Sequence, residues 1–182
     1  MKNSKRVFFA LRFDDNINNF LEDIQEKIAR KSEKIRKVKT CNLHMTVKFL
    51  SNVNKEQVSY LKDLMEEYDY KKLKSQIIQY DFFDRARKNK LIYARLSSNY
   101  ELDKIVDFFN IKTQNILKEN KNRLYHITLA RDCIIDCTQL KKLPKTGSFY
   151  FKDFVLYESI FNSKSVNYKI LKKIDLENAS SK

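Results

Sequence analysis

His44 and His126 are the only two histidines in the 182-residue chain, and each stands in a His-x-Thr tripeptide. Both tripeptides lie in segments that read as β-strands, Leu43 to Leu50 (LHMTVKFL) and Leu124 to Arg131 (LYHITLAR). Residues two apart on a strand share a face and lie roughly 6–7 Å apart along it. An imidazole can then meet one oxygen of a phosphate while the Thr hydroxyl donates to a neighbouring oxygen. Two such units facing each other would set two imidazoles and two hydroxyls around one phosphorus. One ring could take a proton from water while the other gives one to a leaving oxygen. Imidazole suits this work because its unperturbed pKa of about 6.5 makes both forms accessible near neutrality. A single strand histidine is more often structural; two in the same tripeptide, at matched places, point to chemistry.

Strand alternation sorts the neighbours. In the first segment it sets His44, Thr46 and Lys48 on one face and Leu43, Met45, Val47 and Phe49 on the other. In the second, His126 and Thr128 oppose Ile127 and Leu129. Arg131 could supply positive charge to a phosphate, but strict alternation turns it away from His126. It reaches the site only if the strand ends or bulges before it. Lys48 reads more simply as a solvated lysine.

The elements around the tripeptides repeat. Arg6 to Arg12 reads as a buried strand, and Asp14 or Asp15 caps a helix carrying Ile17, Phe20, Leu21, Ile24 and Ile28 on one face. A basic loop, Lys31 to Lys39, precedes the first His-x-Thr strand. Lys90 to Leu96 reads as another strand. A helix capped by Ser98 with Glu101 follows it, with a stripe from Leu102 to Leu117, and then the second His-x-Thr strand. Units of roughly 6–50 and 90–131 therefore correspond, with Phe9-Ala10 matched to Tyr93-Ala94. Between them, Asn54 with Gln57 forms a capping box for a helix bearing Val58, Leu61, Leu64 and Met65. Ser75 to Phe83 is a strand, and a basic loop with Arg85, Arg87 and Lys88 leads on. Phe149 to Tyr157 and Val166 to Ile174 are late strands, and Glu177 to Lys182 reads as a polar tail. The repeat predicts one bilobal domain over residues 1–182 with an approximate two-fold axis that brings the His-Thr faces together across a central cleft.

Composition bounds the partners. The net charge of +14, from 37 basic and 23 acidic residues, favours a polyanion. Hydrophobic residues make up 42% of the chain, enough to bury a core. Cys41, Cys133 and Cys137 form no dense framework; the lone C-x3-C lacks further ligands for zinc and reads as structural thiols. The apolar run Val7 to Leu11 is too short for a signal peptide, and no segment approaches the ~20 apolar residues of a membrane span. The expectation is a soluble, cytoplasmic, monomeric protein with no membrane partner.

His44-Met-Thr46-Val-Lys-Phe-Leu50 and His126-Ile-Thr128-Leu-Ala-Arg131 resemble the paired signatures of the 2H phosphoesterase superfamily. More narrowly, they resemble the LigT-like RNA 2′,3′-cyclic phosphodiesterases, also called 2′-5′ RNA ligases. The opening RVFFALRFDD and the late LYESIFNSKSVNYKIL extend the likeness over nearly the whole chain. The resemblance implies an α+β bilobal fold, with two antiparallel sheets, outer helices and pseudo-two-fold symmetry. It implies hydrolysis of RNA ends bearing a 2′,3′-cyclic phosphate to a 2′-phosphomonoester. His44 and His126 would be acid and base, Thr46, Thr128 and Arg131 would hold the phosphate, and no metal or other cofactor is implied. We assign water activation to His126 and protonation of O3′ to His44, although spacing alone fits the reverse equally. Alternatives at the same site are 2′-5′ ligation, or another cyclic-nucleotide or 2′-5′ oligonucleotide substrate. A non-catalytic RNA-binding module would explain the charge but not the paired tripeptides.

Overall fold

The computed structural model describes residues 4–117, 123–162 and 165–177. Its strands are β1 (Lys5–Arg12), β2 (Ser32–Lys37), β3 (Met45–Val53), β4 (Lys74–Ser75), β5 (Ile77–Asp84), β6 (Lys90–Leu96), β7 (His126–Ile135), β8 (Phe149–Tyr150), β9 (Asp153–Asn162) and β10 (Ser165–Asp175). The helices are α1 (Asp15–Ala29), α2 (Lys55–Glu67) and α3 (Tyr100–Lys112). Of the tail read at Glu177 to Lys182, residues 178–182 lie outside the described residues.

Two four-stranded antiparallel sheets carry the fold, β10-β9-β1-β3 and β2-β7-β6-β5. They join edge to edge at one register pair, Met45 with Ile127. In chain order the elements run β1-α1-β2-β3 in one half and β6-α3-β7 in the other. α1 lies against β2 and β7, and α3 against β3, so each half's helix covers the other half's sheet. A continuous core results, in which Phe9, Met45, Phe109, Ile127 and Phe154 are all fully buried.

Local signals account for most of the elements. Asp14 caps α1 by accepting from the Ile17 amide at 2.8 Å, and Leu21, Ile24 and Ile28 are buried on its inner face. The capping box at Asn54 and Gln57 is formed, with contacts of 2.9 and 2.8 Å. α3 departs from expectation. Asn99, not Ser98, caps it through the Leu102 amide at 3.0 Å. Its helical stripe stops at Lys112, leaving Ile116 and Leu117 in the following turn.

A second correction concerns Lys31 to Lys39, which contains a strand rather than a loop. The β2 sequence SEKIRK has no alternation of apolar residues and stays largely exposed. Backbone pairing with β7 holds it at the sheet edge, and Ile35 packs against the core. The expected strand Phe149 to Tyr157 is likewise interrupted. The Phe151 amide donates to the Leu73 carbonyl and the Lys152 amide to the Arg12 carbonyl, both at 2.9 Å, between β8 and β9.

Candidate active site

Met45 and Ile127 are the middle residues of the two His-x-Thr tripeptides, and they pair across the antiparallel seam. Antiparallel register therefore sets His44 beside Thr128, and Thr46 beside His126. Strand spacing makes this a quadrilateral with sides of roughly 5 and 7 Å, and the two histidines occupy one diagonal. His44 immediately precedes β3 and His126 opens β7.

Both strands then break alternation at the same place. In the β1–β3 register, Phe9 pairs with Lys48 but Ala10 pairs with Thr46, so Val47 is left over. In the β6–β7 register, Ile92 pairs with Ala130 but Tyr93 pairs with Thr128, so Leu129 is left over. Each is a β-bulge one residue past the Thr, and it inverts the facing of all that follows. Burial shows the inversion: Val47 and Lys48 are 8% and 6% exposed in succession, and Leu129 and Ala130 are both 0% exposed.

The bulges correct three expectations. Arg131 lies on the same face as His126 and Thr128. Lys48 turns into the protein, away from His44 and Thr46, and Phe49 takes the site face instead. The repeat is also shifted by one residue, because Phe9-Ala10 corresponds to Ile92-Tyr93 rather than to Tyr93-Ala94. Phe49 and Arg131 are consequently equivalent positions in the two halves.

Leu129 is pinned from two sides. Its carbonyl accepts from the Val38 amide at 2.9 Å and from Gln25 Nε2 at 2.7 Å, while the same amide group donates to the Val38 carbonyl at 2.7 Å. Gln25 projects from α1 and is buried.

One cavity of about 640 Å³ is lined by His44, Thr46, His126, Thr128 and Arg131 together. Phe8, Phe49, Phe83 and Tyr168 supply apolar walls, and Arg36 and Arg85 add positive charge. Each histidine has the same backbone anchor. His44 Nδ1 lies 2.7 Å from the Asn42 carbonyl and His126 Nδ1 lies 2.9 Å from the Leu124 carbonyl. A carbonyl only accepts, so both rings carry hydrogen on Nδ1, which leaves Nε2 for proton transfer. His44 Nε2 is 3.1 Å from Thr46 Oγ1, so the hydroxyl donates to the neutral ring.

Aromatic rings fix both imidazoles. Phe8 and Tyr168 flank His44 with centroid distances of 5.0 and 5.4 Å. Tyr93 and Phe83 flank His126 at 5.4 and 6.0 Å. Burial holds the His44 pKa down to about 4, against the opposing pull of the Asn42 carbonyl, and the charges of His126 and Arg131 lower it further.

All five residues singled out from sequence thus meet at one opening. Sequence reasoning missed Arg36 and Arg85, which stood in segments read as basic loops, and Tyr168, whose strand carried no polar motif. Cys133 is buried and free, with its thiol pushed up to about 11 by that burial, and Cys137 is also free. Among the described residues, no group of three or more His, Cys, Asp or Glu could hold a metal ion. No described helix is long and apolar enough to cross a membrane.

Two sheets meeting over paired His-x-Thr strands give an α+β fold of the kind seen in solved phosphoesterases. The chain shares the fold of the solved LigT structures, and residues 11–93 match the family model described as LigT like Phosphoesterase. A protein of Methanocaldococcus jannaschii named RNA 2′,3′-cyclic phosphodiesterase is 26% identical over 178 residues, covering 92% of this chain and 99% of its own length. The crystal structure of TT0787 of Thermus thermophilus superposes with a TM-score of 0.78 at 18% identity, covering 94% of this chain and 97% of that one. Escherichia coli LigT complexed with 3′-AMP gives a TM-score of 0.72 at 23% identity, covering 96% and 99%. The resemblance read from the two tripeptides is therefore borne out.

Proposed function

We propose that the protein hydrolyses RNA ends bearing a 2′,3′-cyclic phosphate to 2′-phosphomonoesters, by acid–base catalysis between His44 and His126. The observation that carries this reading is the shared cavity, into which both tripeptides and Arg131 converge with both rings anchored through Nδ1. Its volume of about 640 Å³ falls in the range of small-ligand sites and suits a nucleotide, the kind of ligand present in the E. coli LigT complex with 3′-AMP.

Thr46, Thr128 and Arg131 hold the non-bridging oxygens of the cyclic phosphate. His126 Nε2 takes a proton from water as its oxygen attacks phosphorus. The P–O3′ bond breaks, and His44 Nε2 gives its proton to O3′, so the phosphate remains on O2′. Arg131 and the two hydroxyls stabilise the charge that develops on phosphorus-bound oxygen. Burial lowers the His44 pKa to about 4. A phosphate anion beside the ring raises it and charges the acid as substrate arrives.

The low His44 value favours a second reading, in which His44 is the base and His126 the acid. Two-dimensional NMR of the imidazoles with a nucleoside 2′-phosphate bound separates the two, since only the first requires His44 to be charged in the complex.

The test is turnover of an oligoribonucleotide with a 2′,3′-cyclic phosphate end, in EDTA. A 2′-phosphate product is expected, with its formation abolished in His44→Ala and in His126→Ala. Undiminished turnover in either variant removes this mechanism. Joining of 5′-hydroxyl RNA to the same ends, without hydrolysis, would replace it with ligation.

A further inference from the structure

A recess of about 300 Å³ opens beside the main cavity, lined by Arg36, Arg85, Arg87 and Arg131 with Asn89 and Leu91. Arg36, Arg85, Leu91 and Arg131 line both spaces, so the recess begins where the phosphate is held. Asp132, also on its wall, pairs with Arg36 at 2.8 Å. Arg85, Arg87 and Arg131 have no acidic partner among the described residues. Like charges gathered around so small a space repel one another, and a bound anion relieves that repulsion.

The chain keeps these residues in place by an unusual turn. Arg87 and Lys88 both adopt left-handed backbone conformations, with φ of 58° and 62°. Neither is the glycine that such positions favour. The Arg85 amide closes the turn on the Asn89 carbonyl at 2.8 Å.

The chemistry of the proposed substrate says which anion this is. In a terminal 2′,3′-cyclic phosphate, O2′ and O3′ of the last ribose are both bound to one phosphorus. Any further phosphate of that nucleotide must therefore hang from O5′. We infer that the arginine recess binds the phosphate on the 5′ side of the terminal nucleotide, so that the protein selects RNA chain ends over free cyclic nucleosides. This rests on the phosphodiesterase reading and adds a substrate class to it. Guanidinium forks suit the task because they meet phosphate oxygens in pairs.

Three substrates test the inference: a nucleoside 2′,3′-cyclic phosphate, its 5′-phosphorylated form, and a dinucleotide with the same cyclic end. A charge-assisted contact predicts roughly a tenfold gain in kcat/KM for the second and third over the first. The gain should shrink as salt rises, and Arg85→Gln/Arg87→Gln should bring the ratio within each protein towards one. The ratio is insensitive to any general loss of active protein. Equal kcat/KM for all three substrates overturns the inference, as does an unchanged ratio in the double variant. A gain for the dinucleotide alone assigns the effect to the added nucleoside and also overturns it. Equilibrium binding of a nucleoside 2′-phosphate with and without a 5′-phosphate reads the recess without chemistry. If turnover fails but the 5′-phosphate still tightens binding in an arginine-dependent way, the phosphodiesterase reading falls and the recess stands. If turnover occurs and the 5′-phosphate has no effect on binding, the recess assignment falls alone.

Discussion

Met45 and Ile127 are register partners, and among the described residues they are the one pair that joins β3 to β7. Both are fully buried, and each sits between a histidine and a threonine. Site geometry and sheet junction therefore depend on the same two side chains. Ile127→Ala should cost about 2–5 kcal/mol of stability and also lower kcat/KM while the protein remains folded. Leu61→Ala, equally buried but on α2, should cost a similar amount and leave kcat/KM near wild type. Urea denaturation and steady-state kinetics on the two variants measure the contrast.

Arg131 and Phe49 occupy corresponding places but differ in chemistry. Arg131→Ala should weaken phosphate binding by roughly ten- to a hundredfold, the range expected for a charge-assisted contact. Arg131→Lys should recover only part of it, since an ammonium lacks the planar fork. Phe49→Ala should leave inorganic phosphate binding near wild type and weaken nucleotide binding, through loss of an apolar wall. Calorimetry with phosphate and with a nucleoside 2′-phosphate separates the two effects.

Gln25 makes no contact with substrate in the proposed mechanism, yet it holds the bulge that turns Arg131 inward. Gln25→Met keeps the volume and removes both donated hydrogen bonds, leaving the Val38 carbonyl short of a partner. It should cost about 1–3 kcal/mol. A positioning role also predicts that KM and phosphate affinity suffer in this variant, and that Arg131→Ala adds little in the double variant. Independent, additive losses in a double-mutant cycle would reject that coupling.

His44 should leave a signature in stability against pH. Its folded pKa of about 4 lies below the unfolded value of about 6.5. Between these values the unfolded chain binds the proton and the folded chain does not. The contribution is complete above the unfolded value and is lost as pH falls towards 4. Denaturation midpoints should therefore drop over this window, and His44→Phe should flatten the drop. Inorganic phosphate should raise the His44 value, which two-dimensional NMR of the imidazole reads directly.

Much of this arrangement is legible in the sequence, because its largest signals are local. Alternation in LHMTVKFL and LYHITLAR places each histidine with its threonine, and the capping box at Asn54 fixes the start of α2. Alternation fails at Val47 and Leu129, because a bulge is set by pairing with the neighbouring strand and by Gln25, 104 residues away from Leu129. Nothing in the identities of Val47 or Leu129 announces it. For the same reason Lys48 and Phe49 are exchanged, and Arg131 needs a condition that only the register supplies. β2 escapes detection because an exposed edge strand is specified by hydrogen bonds rather than by side chains.

The equivalence of Phe49 and Arg131 gives the cleft a direction. A ligand turned half a revolution about the axis would find its imidazoles and hydroxyls again, but its anion would face a benzene ring. That unlike pair makes the two orientations of an anionic ligand in the cleft inequivalent.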